Sequence, residues 1–238
     1  KIGHVLILDK EVENPQNLLE MKGIKTVVKL GRISGKKRQP DIEILAGSET
    51  ETINRENGCL FKLDVAKVMW SKGNTLERMR IAKLIEDDER VLDMFAGIGY
   101  FSIPVAVHSS ASKIHSIEIN PVSYSYLNEN VFLNKVEGIV NPVFGDSMEL
   151  AANFSVDRVL MGYIGNTQDY IKSAINALDG SGIIHYHESV YDKIKLERPI
   201  NRIKRVAEGM DVQLINQRII KKYSPGVVHV VLDVKITK

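Results

Sequence analysis

Two textures of hydrophobic patterning divide the chain. Up to about residue 66, apolar residues come in short runs, HVLIL, TVVKL, DIEILAG and NGCLFKLDV, separated by Gly31, Gly35, Pro40, Gly47 and the Asn57-Gly58 pair. Runs of this length bounded by turn residues predict strands, and Asn-Gly between two of them predicts a tight hairpin. No helical period of useful length occurs there, so residues 1–66 read as a small β-rich domain, too small to bury much surface alone. From Asn74 the period changes. Asn74 followed by Glu77 predicts a capping box that opens a helix through TLERMRIAKLIED. Strand-like and helix-like segments then alternate: RVLDMF and YFSIPVAVHSS, KIHSIEI and PVSYSYLNENVFLNK, VNPVFG and SMELAAN. The series continues with DRVLMGY, QDYIKSAINALDG, GIIHYHESV and a basic helix from about Asp192 to Gly209. Two strands, VQLINQRIIKKY and VVHVVLDVKI, close the chain around Ser224-Pro225-Gly226. This alternation predicts an α/β domain over residues 67–238, a doubly wound and mostly parallel sheet with right-handed crossovers. The last strand pair predicts an antiparallel hairpin at one end.

Composition adds boundaries rather than detail. With 44% hydrophobic and 26% charged residues the chain is ordinary globular protein, which excludes disordered, collagen-like and disulfide-scaffold classes. Thirty-two basic against thirty acidic residues leave a net charge of +2, so any nucleic-acid surface must come from local clustering. Such clusters exist. Lys36-Lys37-Arg38 is one, and residues 191–222, which end on Lys221 and Lys222, hold nine Lys or Arg against four Asp or Glu. A lone cysteine, Cys59, permits no internal disulfide and points to a reducing, cytoplasmic compartment. No run approaches the ~18 apolar residues of a membrane helix, so no membrane partner is expected. Because the first residue is Lys1 and not Met, the lack of a signal peptide carries little weight.

The stretch VLDMFAGIGYFSIP carries the first chemical signal. A strand runs into Asp93, then Gly97-Ile98-Gly99, then a helix; glycines there let the backbone approach a ligand at an electropositive helix start. The third glycine of a dinucleotide fingerprint is replaced by Ser102, so the motif alone is weak. The next strand ends at Glu118, 25 residues beyond Asp93, where a carboxylate can accept both hydroxyls of a ribose. The third ends in Phe144-Gly145-Asp146-Ser147, another carboxylate at the same sheet edge. The competing reading is that Glu118 and Asp146 merely cap the helices that follow. His185 and His187 alternate on a strand without a third ligand at useful spacing, so no metal is expected. His108, His115 and His229 look isolated, and Cys59 reads as a core residue.

Three successive strand ends with polar ligands, and the closing hairpin, resemble the Rossmann-like seven-stranded fold of class I S-adenosylmethionine-dependent transferases. That resemblance implies a cofactor site made by Asp93 and Gly97 beside the methionine portion, Glu118 on the ribose and Asp146 at the adenine amino group, with Phe95 and Ser147 in the same set. Within the fold, WSKGNTLERMR (residues 70–80), DMFAGIGYFSIP and KKYSPGVVHVVLDV resemble the tRNA guanosine-37 modification family. This implies that Ser71 and Arg78 also contact S-adenosylmethionine, and that the partner is tRNA at anticodon-loop position 37. The tRNA backbone then faces Lys36, Lys37, Arg38, Lys221 and Lys222.

The departure from the family pattern is as informative. Methylating members carry an Asn-Leu-Pro or Asn-Pro-Pro segment after the fourth strand, whose carboxamide is a fixed acceptor for an N–H. Here DRVLMGYIGNT places Met161-Gly162-Tyr163 there, without proline. The variant resembles the wybutosine-pathway branch. Its members transfer the 3-amino-3-carboxypropyl group to carbon 7 of the tricyclic 4-demethylwyosine at position 37 of tRNA(Phe), releasing methylthioadenosine. N1-methylation of guanosine 37 is the alternative. The acceptor carbon is electron-rich, so no side chain is singled out as a general base.

Overall fold

In a computed structural model the described residues are 1–35 and 39–238. The Lys36-Lys37-Arg38 cluster lies outside them. The N-terminal strands β1 (Val5–Leu8), β2 (Thr26–Ser34) and β3 (Gln39–Ala46) form one small sheet, β1 parallel and β3 antiparallel to β2. Strands β4 (Glu51–Glu56) and β5 (Cys59–Asp64) form the expected hairpin. Its turn residues Asn57 and Gly58 have φ of 51° and 80°, the left-handed pair such tight turns require. Patterning missed the 3-10 helix Pro15–Glu20, which is too brief to display a period.

The rest alternates as expected: α1 (Thr75–Leu84), β6 (Arg90–Asp93), α2 (Ser102–His108), β7 (Lys113–Glu118), α3 (Pro121–Leu133), β8 (Val140–Phe144), α4 (Ser147–Leu150) and β9 (Val156–Met161). Then come α5 (Ile171–Ala177), β10 (Leu178–Tyr191), α6 (Glu197–Val206), β11 (Asp211–Ser224) and β12 (Val227–Thr237). Seven strands form one sheet in the order β11-β12-β10-β9-β6-β7-β8, parallel except for β12, which runs antiparallel to both its neighbours. Successive side chains of a strand serve opposite faces. Val91 packs with Ile81, Ile103 and Leu127 of α1–α3, and Leu92 packs with Ile171, Ile175 and Ile203 of α5–α6.

The capping box does not form. A 3-10 turn, Lys72–Asn74, leads into α1 and leaves Asn74 at φ −104°, ψ 1°, outside the extended geometry an N-cap uses, and its side chain makes no cap bond. Glu77 is buried against the sheet and takes a cation instead. Arg80 donates to it at 2.8 and 2.6 Å and reaches Asp233 of β12 at 2.5 Å. The line of buried polar groups continues through His185, 2.6 Å from Asp233, to Arg158, 2.9 Å from the other ring nitrogen. Arg158 then pairs with Glu89 at 2.7 Å. A guanidinium only donates, so the His185 Nε2 accepts and Nδ1 carries the proton given to Asp233.

Hairpin β4–β5 docks on α3 through two carboxamides. The Lys62 N–H donates to Asn130 Oδ1 at 2.7 Å, and Asn130 Nδ2 donates back to the Lys62 carbonyl at 3.1 Å and to the Ile98 carbonyl at 3.0 Å. Asn134 pairs likewise with the N–H and carbonyl of Leu60, at 2.8 and 2.7 Å. Each side chain thus acts as the missing neighbour of strand β5, while Cys59, Phe61 and Leu63 enter the core of α1–α3. Burial pushes the Cys59 thiol up to about 11, as befits a core residue. Asn130 is fully buried and Asn134 only partly. Asn130→Ala should therefore cost about 2–4 kcal/mol, because unpaired buried backbone groups lose their partners, and Asn134→Ala about 1 kcal/mol, because water can replace it. Urea unfolding of both variants checks the ordering; equal losses would contradict it.

Candidate functional site

The chain enters the large sheet at β6, moves outward through β7 and β8, and returns to β9 on the other side of β6. Ligands of such sheets bind beyond the carboxyl ends of the strands at this reversal. A cavity of about 700 Å³ lies there, of the size of small-molecule sites.

Six expected cofactor residues line it: Ser71, Phe95, Gly97, Glu118, Asp146 and Ser147. Gly97 sits at φ +59°, and a Cβ there would lie 2.4 Å from the Tyr100 ring, so glycine is required for both reasons. Its N–H donates to Glu118 Oε2 at 2.7 Å, and the Asn120 N–H donates to Oε1 at 2.7 Å. Burial raises the Glu118 carboxyl, opposed by these backbone donors. Glu118 does not cap α3; Asn120 does, accepting from the Val122 N–H. Asp146 caps α4 through the Met148 N–H at 3.0 Å and lines the cavity as well. The Ser147 hydroxyl donates to the Met94 carbonyl, tying the third strand's exit to the first.

Asp93 and Arg78 stand behind the cavity wall. Asp93 is fully buried and accepts from the Ser102 hydroxyl at 2.8 Å and from the Phe95 N–H at 3.3 Å, and Ser116 in turn donates to Ser102. The serine in the third glycine position is therefore what steadies Asp93. Arg78 donates to Glu56 at 2.5 Å and to the Ser71 carbonyl at 2.9 Å, with its guanidinium 4.7 Å from the Trp70 ring centre. Tyr100 donates to the Met69 carbonyl. Together these pin the segment 69–71 along the cavity.

Of the two described lysines among the residues assigned to RNA, Lys222 is exposed, whereas Lys221 lines the cavity and donates to Ser71 Oγ at 3.1 Å. Tyr163 of the variant motif is stacked on Phe95 at 5.2 Å; sequence reasoning missed Tyr170, edge-on to Phe95 at 4.9 Å. It also missed Ile7, Asp9 and Leu30, which bring the N-terminal sheet to the cavity rim. No motif marks those three. His229 is not isolated: its Nε2 lies 3.0 Å from His187 Nδ1. Among the described residues no group of three His, Cys, Asp or Glu is arranged to hold a metal, and no helix is long and apolar enough to cross a membrane.

Burial raises the Asp93 carboxyl from 3.8 to about 6. The folded protein then holds this proton more tightly than the unfolded chain. The stabilisation is complete below about pH 4 and is lost as pH rises through about 6. Asp93→Asn removes the charge, keeps one oxygen to accept from the Phe95 N–H and turns its amide to donate to the Ser102 hydroxyl. Relative to that variant, the wild type should lose up to about 3 kcal/mol of unfolding free energy between pH 4 and pH 7. Denaturant unfolding at both pH values measures it, and a difference independent of pH would show an ordinary carboxylate.

Residues 52–215 match the family described as the TRM5/TYW2 methyltransferase domain. The tRNA(Phe) (4-demethylwyosine(37)-C(7)) aminocarboxypropyltransferase of Methanocaldococcus jannaschii is 45% identical over 243 residues, spanning 100% of this chain and 97% of that protein. The tRNA (guanine(37)-N(1))-methyltransferase Trm5b of Pyrococcus abyssi is 36% identical over 91% of this chain and 65% of its own length. The crystal structure of M. jannaschii TYW2 in complex with AdoMet has a TM-score of 0.83 at 43% identity, covering 100% of this chain and 98% of that one. The matched span and the whole-length similarity, on a fold with this strand order and cavity, mean that the protein belongs to the TRM5/TYW2 family.

Proposed function

We propose that this chain transfers the 3-amino-3-carboxypropyl group of S-adenosylmethionine to carbon 7 of 4-demethylwyosine at position 37, in the anticodon loop of tRNA(Phe), releasing methylthioadenosine. One observation carries the choice over N1-methylation. The cavity keeps its cofactor residues while the exit of β9 offers Gly162 and Tyr163 in place of an asparagine-proline segment. Met161 turns into the core, and the Tyr163 ring stacks on Phe95, so this wall presents an aromatic face where a methylating relative has a carboxamide. The 45% identity to the M. jannaschii aminocarboxypropyltransferase, against 36% for the P. abyssi methyltransferase, supports the same choice.

The residues present fit S-adenosylmethionine. Gly97 leaves room for a ligand against the backbone, and Glu118 keeps lone pairs for the ribose hydroxyls beyond the two N–H groups it already accepts. Asp146, which lines the same cavity with Ser147 and Phe95, would meet the adenine amino group. Ser71 contacts the ligand directly; Arg78 acts through the Ser71 carbonyl and Asp93 through the loop it holds. When bound, the sulfonium supplies a side-chain carbon open to attack: the C–C bond to the ring forms as the C–S bond breaks, the electron pair stays on sulfur, and the ring proton passes to water. The chain's part is to hold the reactants in line at about 3–3.5 Å and to keep the methyl turned away. In this reading residues 1–66 form a module that completes the cavity rim of the catalytic domain 67–238. Lys36, Lys37, Arg38 and Lys222 contact the tRNA backbone, and the enzyme works in the cytoplasm.

Glu118→Ala should weaken S-adenosylmethionine by ~30-fold or more, since two charge-assisted hydrogen bonds in a partly dry cleft contribute about 2–4 kcal/mol. Titration calorimetry checks this, and wild-type affinity in the variant would reduce Glu118 to a tether for Gly97. The transferred group is settled with tRNA bearing 4-demethylwyosine and cofactor labelled in parallel on its methyl group and on its carboxyl carbon. Carboxyl label in the tRNA with release of methylthioadenosine is the expected result; methyl label with release of S-adenosylhomocysteine would replace this proposal by N1-methylation.

A further inference from the structure

We infer that Lys221 binds the carboxylate of the methionine arm, the far end of the group that is transferred. The inference rests on the proposed use of S-adenosylmethionine and extends it to a part of the ligand for which the family motifs quoted above name no basic partner within the cavity.

Charge is the first argument. Among the described residues that line the cavity, Lys221 is the one Lys, Arg or His, set against the carboxylates of Asp9, Glu118 and Asp146. The ligand brings two cations, sulfonium and ammonium, and one carboxylate. The cations are matched by the acidic side chains, whereas the carboxylate is repelled from them and has Lys221 as its partner.

The second argument is how the fold aims this side chain. Lys221 and Lys222 are neighbours on the edge strand β11, but the register against β12 shifts between Ile219 and Lys221 and again between Lys222 and Ser224. Neighbours on a strand point to opposite faces, and here Lys221 lines the cavity while Lys222 stays exposed. The stem then lies across the segment 71–74. Nζ is 3.1 Å from Ser71 Oγ, and a Cβ on Gly73 would come within 3.0 Å of Lys221 Cδ and 3.2 Å of Nζ. Glycine at 73 thus makes the space the lysine occupies.

A third observation fits the adjoining ammonium. In the same wall, Asn74 has a buried Oδ1 with no hydrogen-bond partner, although Asn74 borders the cavity. An acceptor beside a lysine is the complement of an α-amino acid, whose carboxylate and ammonium share one carbon. The failed capping box of α1 thereby leaves this acceptor unused within the protein.

The test compares three ligands that share the adenosine half. Calorimetry is run with S-adenosylmethionine, with its decarboxylated form and with methylthioadenosine, on wild type, Lys221→Met and Lys221→Arg. Lys221→Met should weaken S-adenosylmethionine by about tenfold or more, the loss of one charge-assisted contact, and leave the two ligands without the carboxylate within about twofold. Lys221→Arg should recover part of the loss. Unchanged methylthioadenosine binding shows that the variant is folded, and Lys221→Gln gives the same readout should the Met variant fail to fold. Equal weakening of all three ligands, or no weakening of S-adenosylmethionine, overturns the inference. In the latter case a drop in tRNA affinity would assign Lys221 to the RNA face. Methyl label entering tRNA in the double-label assay would remove the aminocarboxypropyl reading without altering these binding ratios, so the two failures are distinguishable.

Discussion

A buried carboxamide holds three parts of this protein in one arrangement. Asn130, on the crossover helix α3, closes the open edge of strand β5 and at the same time accepts responsibility for the Ile98 carbonyl inside the glycine loop. Backbone groups in a dry core must find partners, and neither the edge of a two-stranded hairpin nor a loop built of glycines can supply them from within. The N-terminal hairpin, the helix and the ligand loop are therefore coupled through one side chain. Anything that loosens the hairpin reaches the loop.

The loop itself is held under electrostatic tension. Asp93 lies beneath it and Glu118 beside it; burial raises both, and the Asp93 charge raises Glu118 further. Backbone N–H groups of Phe95, Gly97 and Asn120 offset part of that cost. A ligand bearing a sulfonium brings positive charge toward these acids, so an arrangement that is costly empty becomes favourable when filled. The polar line beneath α1, on the same face of the sheet as Asp93, is managed differently. There the acids Glu77, Asp233 and Glu89 alternate with Arg80, His185 and Arg158, and Asp233 is held well below the usual carboxylate range because the donors beside it outweigh its burial. That line is complete without a ligand and acts as a frame.

A sulfonium activates each carbon attached to it, so the choice between methyl and aminocarboxypropyl transfer is one of presentation. The fold and the adenosine-binding edge are common to both chemistries. What differs is the wall that faces the acceptor. Tyr163, stacked on Phe95, lines the cavity with a broad aromatic ring.

The primary structure by itself determined the periodic features: the α/β alternation, the closing antiparallel pair, the Asn57-Gly58 turn, and the carboxylates at the ends of β7 and β8. Each of these is a local pattern, a matter of residues two to four apart or of a turn between apolar runs. The glycine loop and the acid at residue 118 were legible for the same reason, since a strand, a turn and a helix are contiguous. What only the tertiary structure decided involves partners far apart in the chain. Glu77 pairs with Arg80 of its own helix because Arg80 extends that buried pair to Asp233 of β12, far along the chain. Arg78 and Asp93 moved behind the wall because their neighbours, Glu56 and Ser102, accept or donate from the buried side. Lys221 faces the cavity because its face of β11 meets the segment 71–74, and Ile7, Asp9 and Leu30 joined the cavity only through the packing of a separate sheet. Spacing along a chain reports which face of an element a residue occupies; which other element meets that face is set by burial and by the pairing of buried polar groups, and those depend on the whole fold.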